Sequence, residues 1–490
     1  MLKRSAVLLS LLLLVPTSGL AAQRSAALTN AGRWLVDPAG RVVILHGFNV
    51  VAKIPPYEPA ATGFDDQDAA FLQAHGFNGV RLGVIFKGLE PKPGTFNHAY
   101  LASIASTVNM LARHGIYTLL DFHQDLYNER FQGEGFPDWM VQDDGLPAQP
   151  QAGFPGNYFV MPALWRAYDH LLANDPGPDG IGLRDWYARA WAHVASYFRN
   201  NAGVMGYDVF NEPFPGTPYP TCFPPLGCPL TDSLSLKPFM DEVVRAIHKV
   251  DPNHIAFVEP FVTFDYSAPT YLGRVGDGAV GFSFHPYCLA ALNLPVPDTG
   301  PVRTLCDTAD EGRVFSNAEQ QQQASGEVPL VSEFGATSDT AELNSITRMA
   351  DANRMGWLNW AYCECGDPTG AGSAESLVYD VHKAPTGANV NMGNLRALDV
   401  PYPMVVAGTP QSWSFDLSTL AFHLTYSTTS PTGRSLARAL TIVHVSSLQY
   451  PRGYTIVVTG ARVVSQSGDT LVLESARGAA TVALAVAPRP

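Results

Sequence analysis

Eight short apolar runs, most of them ending in polar residues, constrain this 490-residue chain more than any other feature. In order they are RVVILHGFN (41–49), GFNGVRLGV (76–84), IYTLLDFHQD (116–125), VMGYDVFNEP (204–213), HIAFVEP (254–260), AVGFSFHPY (279–287), VPLVSEFG (328–335) and MGWLNWAYCE (355–364). Continuous apolar runs, as opposed to strict alternation, mark strands buried on both faces. Between them lie helix-like patterns such as DQDAAFLQAHG and YLASIASTVNMLARHG, each stopped by Gly. In RDWYARAWAHVASYFRNN, the residues Tyr187, Trp191, Val194 and Phe198 fall on one helical face. SDTAELNSITRMADANRMG opens with a Ser338/Asp339 start signal. Strand–helix alternation repeated eight times predicts a (β/α)8 TIM barrel. An open doubly wound sheet would want a Gly-rich phosphate loop after its first strand, and LHGFNVVAKIPP is not one.

From about residue 391 the pattern changes to β-branched, alternating segments such as SWSFDLSTLAFHLTYSTT and GYTIVVTGARVVSQSGDTLVLES. A C-terminal all-β sandwich is expected over 391–490, after a barrel over 28–390. Residues 126–180, rich in Gly, Pro, Trp and Phe, are too long for a simple connection and read as part of a cleft.

The net charge of −13 opposes nucleic acid as a partner and gives no pull toward anionic membranes. With 46% apolar and 15% charged residues the chain can fill a large core, and a monomer is expected. Residues 1–21 carry Lys3 and Arg4, an apolar stretch from Ala6 to Val15 and a small-residue site at Gly19–Ala21. This predicts a secretory signal peptide and a secreted, soluble mature protein. Six cysteines fit export. Their spacing matches no zinc motif, and Cys222–Cys228 and Cys288–Cys306 are the expected disulfides among fifteen connectivities.

In such a barrel the active site lies at the C-terminal ends of the strands. The proposed strands deliver His46 and Asn49, Arg81, His123 and Asp125, Asn211 and Glu212, Glu259, His285 and Tyr287, Glu333, and Trp360. Glycosidic cleavage needs two carboxyl groups, one to protonate the leaving oxygen and one to attack carbon or activate water. Glu212 and Glu333 would face each other across the barrel mouth. Glu259, just before Pro260, is expected to accept hydrogen bonds without taking part in the chemistry. A metal site of His123, Asp125 and His285 lacks supporting spacing, and neither metal nor cofactor is expected.

Asn211-Glu212-Pro213 ending the fourth run, with Glu333 in SEFG ending the seventh, resembles glycoside hydrolase family 5. Arg81, His123, His285, Tyr287 and Trp360 match its strand-end positions in order. LHGFNVVAK, DFHQDLYN, DVFNEPF and PYPMVVAGTPQSWSF are similar to segments of its endoglycoceramidase branch, over nearly the whole mature chain. The resemblance implies a retaining endo-glycosidase cutting between glycan and ceramide of glycosphingolipids, with Glu212 as acid/base and Glu333 as nucleophile. Asn211 would bond the sugar 2-hydroxyl, Arg81 and Tyr287 would hold Glu333, and His285 would support Glu212. Lys53, His123 and Asp125 would grip the first sugar. Apolar loops at 50–57, 223–230 and 289–297 would face the lipid and allow transient contact with a membrane or micelle. The Cys222–Cys228 segment, NERFQGEGFPDWM and the Cys288–Cys306 loop depart from the broad-specificity pattern. A galactosylceramide-preferring enzyme, or a β-1,4-glucanase or β-glucosidase of the same family, is therefore the alternative.

Overall fold

The computed structural model describes residues 27–288 and 300–489. Eight parallel strands close into a barrel: β1 (His46–Val50), β2 (Gly79–Val84), β3 (Tyr117–Phe122), β4 (Val204–Asp208), β5 (Ile255–Val258), β6 (Val280–Phe284), β7 (Val328–Val331) and β8 (Gly356–Asn359). Each pairs with its sequence neighbour, and β8 returns to β1 through Trp357↔His46 and Asn359↔Phe48. Nearly every strand residue is buried, because helices cover the outer face while side chains fill the interior.

The helices form where sequence patterning and caps agree. The helix Leu183–Phe198 buries Tyr187, Trp191, Val194 and Phe198 against the barrel. Asp339 caps Thr340–Asn353 by accepting the Ala341 and Glu342 amides at 3.0 and 3.4 Å. The 126–180 insertion is a layer of buried aromatics (Tyr127, Phe131, Phe136 and Tyr158) leading into the helix Pro162–Ala173.

After the barrel, two antiparallel sheets of seven and four strands pack as a sandwich. Three strands of the larger sheet come from the chain's beginning: Thr29–Ala31, Trp34–Val36 and Val42–Val43, the last paired with Tyr402–Val406. The apolar run 41–49, which reads as one strand, is therefore divided between the two domains. The physical reason is a pair of interiors: Val42 packs in the sandwich, whereas Val43 and Leu45 join Leu28 and Leu35 against Leu119, Met205, Phe257, Leu330 and Leu358. That cluster plugs the barrel beneath its polar layer.

The two domains share polar contacts as well. His46, placed at a strand end with Asn49 by the sequence reading, instead begins β1 and lies sandwiched between Trp357 (4.1 Å) and Tyr402 (3.6 Å). Burial, with His444 nearby, pushes its pKa well down, so the ring stacks as a neutral aromatic. Asp399, fully buried, accepts from His75 at 2.7 Å and His444 at 2.6 Å, joining a barrel helix to the sandwich. Trp413 Nε1 donates to Asp351 at 2.7 Å.

Replacing Asp399 with Ala leaves two imidazoles without their acceptor, and we expect a loss of about 3 kcal/mol in urea unfolding at pH 7. Burial raises the Asp399 pKa, but the histidines outweigh it and the net shift is downward. The wild-type contribution should then be complete above the ordinary Asp pKa of about 3.9 and fade as pH falls below it. The difference between wild type and variant should shrink in that acid window.

Candidate active site

Arg81, in the middle of β2 and fully buried, organises the barrel mouth. Its Nε donates to Asp208 at 2.8 Å, Nη1 to Glu333 and Asn49 at 3.1 and 3.2 Å, and Nη2 to Asn211 and Glu259 at 2.8 and 2.9 Å. Asp121 lies 3.0 Å from Nη2. One guanidinium thus faces four carboxyl groups supplied by β3, β4, β5 and β7. Burial alone would lower its pKa, but these charges raise it further, so the cation is permanent.

Glu333 is held at both oxygens, by Arg81 and by the Tyr287 hydroxyl at 2.7 Å. Glu212 sits opposite. Its Oε1 lies 2.8 Å from His285 Nδ1, and its backbone N–H donates to Glu259 at 2.8 Å. Its backbone has φ of +43°, a left-handed conformation costly for a non-glycine residue and held here by that amide bond. A carboxyl oxygen of Glu212, a ring nitrogen of His285 and a carboxyl oxygen of Glu333 lie within 4.8 Å of one another. Burial first, then the Glu333 charge, raise the Glu212 pKa against the opposing pull of His285. For His285, burial acts downward, but Glu259, Glu333 and its bonds to Glu212 and Glu259 raise it well above the usual range. The two shifts favour the protonated form of Glu212 and the charged form of His285.

Glu259 accepts hydrogen bonds from Arg81 and the Glu212 amide, the role read for it in the sequence. Asn211 accepts from Arg81 and donates to the Gln124 carbonyl at 2.9 Å.

A second polar cluster borders the first. Lys53 is buried, with Nζ 2.6 Å from Asp125, 2.8 Å from Asp367 and 2.8 Å from Thr369 Oγ1, and 4.3 Å from the centre of the Trp360 ring. Two of its N–H donors go to Asp125 and Thr369, and Asp367 adds an ion pair. His123 stacks on Trp360 at 5.1 Å and bonds Asp121 at 2.7 Å; burial opposes, but Asp121 raises its pKa to about 10. Asp125 is fixed by its bridge to Glu134, which requires Gly133 because a Cβ there would lie 1.8 Å from the Asp125 carbonyl.

The structure therefore brings Arg81, His123, Asp125, Asn211, Glu212, His285, Tyr287, Glu333, Trp360 and Lys53 to one rim. Sequence reasoning missed Asp121, Asp208, Gln124, Asp367 and Thr369. Asp121 and Asp208 were visible as carboxylates inside apolar runs, TLLDF and GYDVF, which require a buried cation. Asp367 and Thr369 gave no signal, since only folding returns their loop to Lys53. Glu212–His285–Glu333 and His123–Asp125–Glu134 are close enough to hold a metal ion, yet an ion there would compete with Arg81 or Lys53, which already neutralise them. His285 does not join the His123–Asp125 group.

A model for cellulase, glycosyl hydrolase family 5, matches residues 36–366, and one for the glycoside hydrolase family 5 C-terminal domain matches 401–486. The chain belongs to glycoside hydrolase family 5. It is 32% identical to endoglycoceramidase I of Rhodococcus hoagii over 93% of this chain and 87% of that one. It is 30% identical to an endoglycoceramidase of Hydra vulgaris, over 86% of this chain and 80% of that one. Among solved structures, endo-glycoceramidase II from a Rhodococcus species in complex with ganglioside GM3 superposes with a TM-score of 0.78 at 25% identity, covering 93% of this chain and 99% of that one. The same Rhodococcus enzyme as a lactosyl-enzyme intermediate gives a TM-score of 0.76 at 26% identity, covering 93% and 100%. An endogalactoceramidase shares the fold at 21% identity, with a TM-score of 0.72 and coverage of 95% and 100%. The chain is thus a glycoside hydrolase, similar to endoglycoceramidases from the first barrel strand through the sandwich.

All three expected or newly seen cysteine pairs are disulfides: Cys222–Cys228, Cys288–Cys306 and, within the loop that carries Asp367, Cys363–Cys365.

Arg81→Met would leave four carboxyl groups facing one another in a buried layer. A loss of at least about 3 to 5 kcal/mol is expected, read as a lower midpoint in urea unfolding followed by circular dichroism. Arg81→Lys should recover only part of it, because an ammonium cannot present the same planar fork.

Proposed function

We propose that the protein is a retaining endo-glycosidase that hydrolyses the β-bond between the glycan and the ceramide of glycosphingolipids, with Glu212 as acid/base and Glu333 as nucleophile. The observation that carries the mechanism is the spacing: oxygens of the two carboxyl groups lie within 4.8 Å. Retaining enzymes need about 5 to 5.5 Å between the carboxyl groups, whereas inverting ones hold them about 6.5 to 9.5 Å apart to admit water.

The electrostatics agree with that division of labour. Glu333, between the Arg81 guanidinium and the Tyr287 hydroxyl, is aimed as an anion able to attack the anomeric carbon. Glu212, its pKa raised by burial and by the Glu333 charge, delivers a proton to the departing ceramide oxygen. Once Glu333 becomes an ester its charge is gone, the Glu212 pKa falls, and the same group activates water for the second step. Trp360, His123, Asp125 and Lys53 form the wall that holds the reacting sugar. Asn211 Nδ2, with one N–H given to Gln124, offers the other to the 2-hydroxyl. The lactosyl-enzyme and GM3 complexes of the Rhodococcus relative support both the covalent route and the substrate class.

The lipid side is supported by the loop after β4. Leu226, Leu230 and Leu234 are 70%, 73% and 74% exposed, the last two one helical turn apart. By contrast, residues 50–57 are largely buried apart from Ile54 and the turn beside it, and the third expected loop, 289–297, lies outside the described residues. The leucines touch a membrane or micelle transiently while a monomer works at its surface. The secretory signal at 1–21 also lies outside the described residues; export rests on its sequence and is checked by N-terminal sequencing of the secreted chain.

Turnover of detergent-dispersed lactosylceramide, galactosylceramide and soluble cello-oligosaccharides, followed by mass spectrometry, tests the reading. Intact disaccharide plus ceramide is expected from the first. Cleavage of galactosylceramide alone would narrow the substrate to that sugar, and cleavage of the soluble oligosaccharides alone would overturn the lipid assignment.

Glu333→Gln should reduce turnover of every substrate by at least about 10⁴-fold. Glu212→Gln should do so for glycosylceramides but spare the glycosylation step of an aryl glycoside whose leaving group needs no proton. In wild type, kcat/KM should fall on the alkaline side as Glu212 loses its proton, and that limb should disappear in Glu212→Gln assayed on the aryl glycoside. Replacing Leu226, Leu230 and Leu234 together with Glu should lower turnover of vesicle-borne glycolipid more than that of a soluble aryl glycoside.

A further inference from the structure

One buried carboxyl group at the barrel mouth has no task in the mechanism above. Asp265 lies in the loop after β5, just beyond the 3-10 turn Val262–Phe264, and is only 3% exposed. Among the described residues no hydrogen bond reaches its side chain, and Oδ2 is sealed from solvent. An unpartnered carboxyl at such depth is costly unless it serves a ligand.

The loop is tied to the acid/base side of the site. The Val262 amide donates to the carbonyl of Pro213, directly after Glu212, at 2.9 Å, and the Asp265 carbonyl accepts the Tyr287 amide at 3.3 Å. Further along, the Tyr271 amide donates to Asp232 at 2.7 Å and its hydroxyl to the Leu226 carbonyl at 2.9 Å. The chain therefore runs from Glu259 at the catalytic centre, through Asp265, to the exposed leucines. A ceramide has the same order of chemistry: the scissile oxygen, then an amide and a hydroxyl within a few bonds, then the hydrocarbon chains.

We propose that Asp265 is a leaving-group recognition residue whose carboxyl group donates a hydrogen bond to the amide carbonyl of the ceramide. The inference rests on the ceramide reading of the site. Burial, reinforced by the charges of Glu212, Glu259 and Glu333 against that of His285, shifts the carboxyl well above the usual range and so favours the neutral form that can donate. A neutral acid in this position also avoids placing a further anion beside Glu212. An aryl glycoside has no amide, so it gains nothing from this contact.

The test compares kcat/KM for a glycosylceramide in detergent micelles with that for the aryl glycoside of the same sugar, in wild type, Asp265→Ala and Asp265→Asn. We expect Asp265→Ala to lower the ceramide-to-aryl ratio about ten-fold, the scale of one hydrogen bond to a buried acceptor. Asp265→Asn, of nearly the same shape and still a donor, should restore most of the ratio. Equal losses on both substrates, with an unchanged ratio, would overturn the proposal and make Asp265 a support for Glu212. Unchanged kinetics in both variants would overturn it as well. A wild-type protein that cleaves the aryl glycoside but no glycosylceramide would instead bring down the ceramide reading, and this inference with it.

Discussion

The barrel mouth depends on one cation. Arg81 replaces water for Asp121, Asp208, Glu259 and Glu333 in a layer where none of these groups could remain charged alone. Its planar fork also sets direction: Nη1 reaches toward β7 and Nη2 toward β4 and β5, so one side chain fixes Glu333, Asn211 and Glu259 together. Both candidate catalytic carboxyl groups stand on that layer. Glu259 in turn holds the Glu212 amide, and the strained backbone of Glu212 persists because its surroundings over-determine it.

Beneath the layer the barrel is filled by apolar side chains. Leu28, Leu35, Val43 and Leu45 close its lower end, and the same N-terminal segment contributes three strands to the sandwich. The sandwich is thereby a brace, built from both ends of the described chain and locked by His46, Asp399 and Trp413. A plug anchored in a second domain keeps water from reaching Arg81 from below, where it would weaken every ion pair in the layer.

Charge and apolar surface are separated across the mouth. Lys53, Asp125, Asp367 and His123 gather around Trp360 on one side, whereas the segments after β4 and β5 carry the exposed Leu226, Leu230 and Tyr271. A family 5 barrel with this asymmetry suits an amphipathic substrate better than a uniform polysaccharide, for which both sides of the scissile bond look alike.

Much of this was legible in the sequence because barrels are periodic. Eight buried runs, most of them released into a polar residue, dictated the fold and placed Glu212 and Glu333 at strand ends; Tyr187, Trp191, Val194 and Phe198 declared a helix face. Tertiary structure alone decided which residues share a partner. Asp121 and Asp208 are far apart in the chain and meet only because closure of the barrel brings β3 and β4 around Arg81. Thr369 and Asp367 reach Lys53 across more than three hundred residues, and the run at 41–49 divides because two hydrophobic interiors compete for its side chains. Sequence encodes burial and local conformation, which depend on neighbours along the chain. Ion pairing depends on distance in space, and that exists only after the sheet has closed.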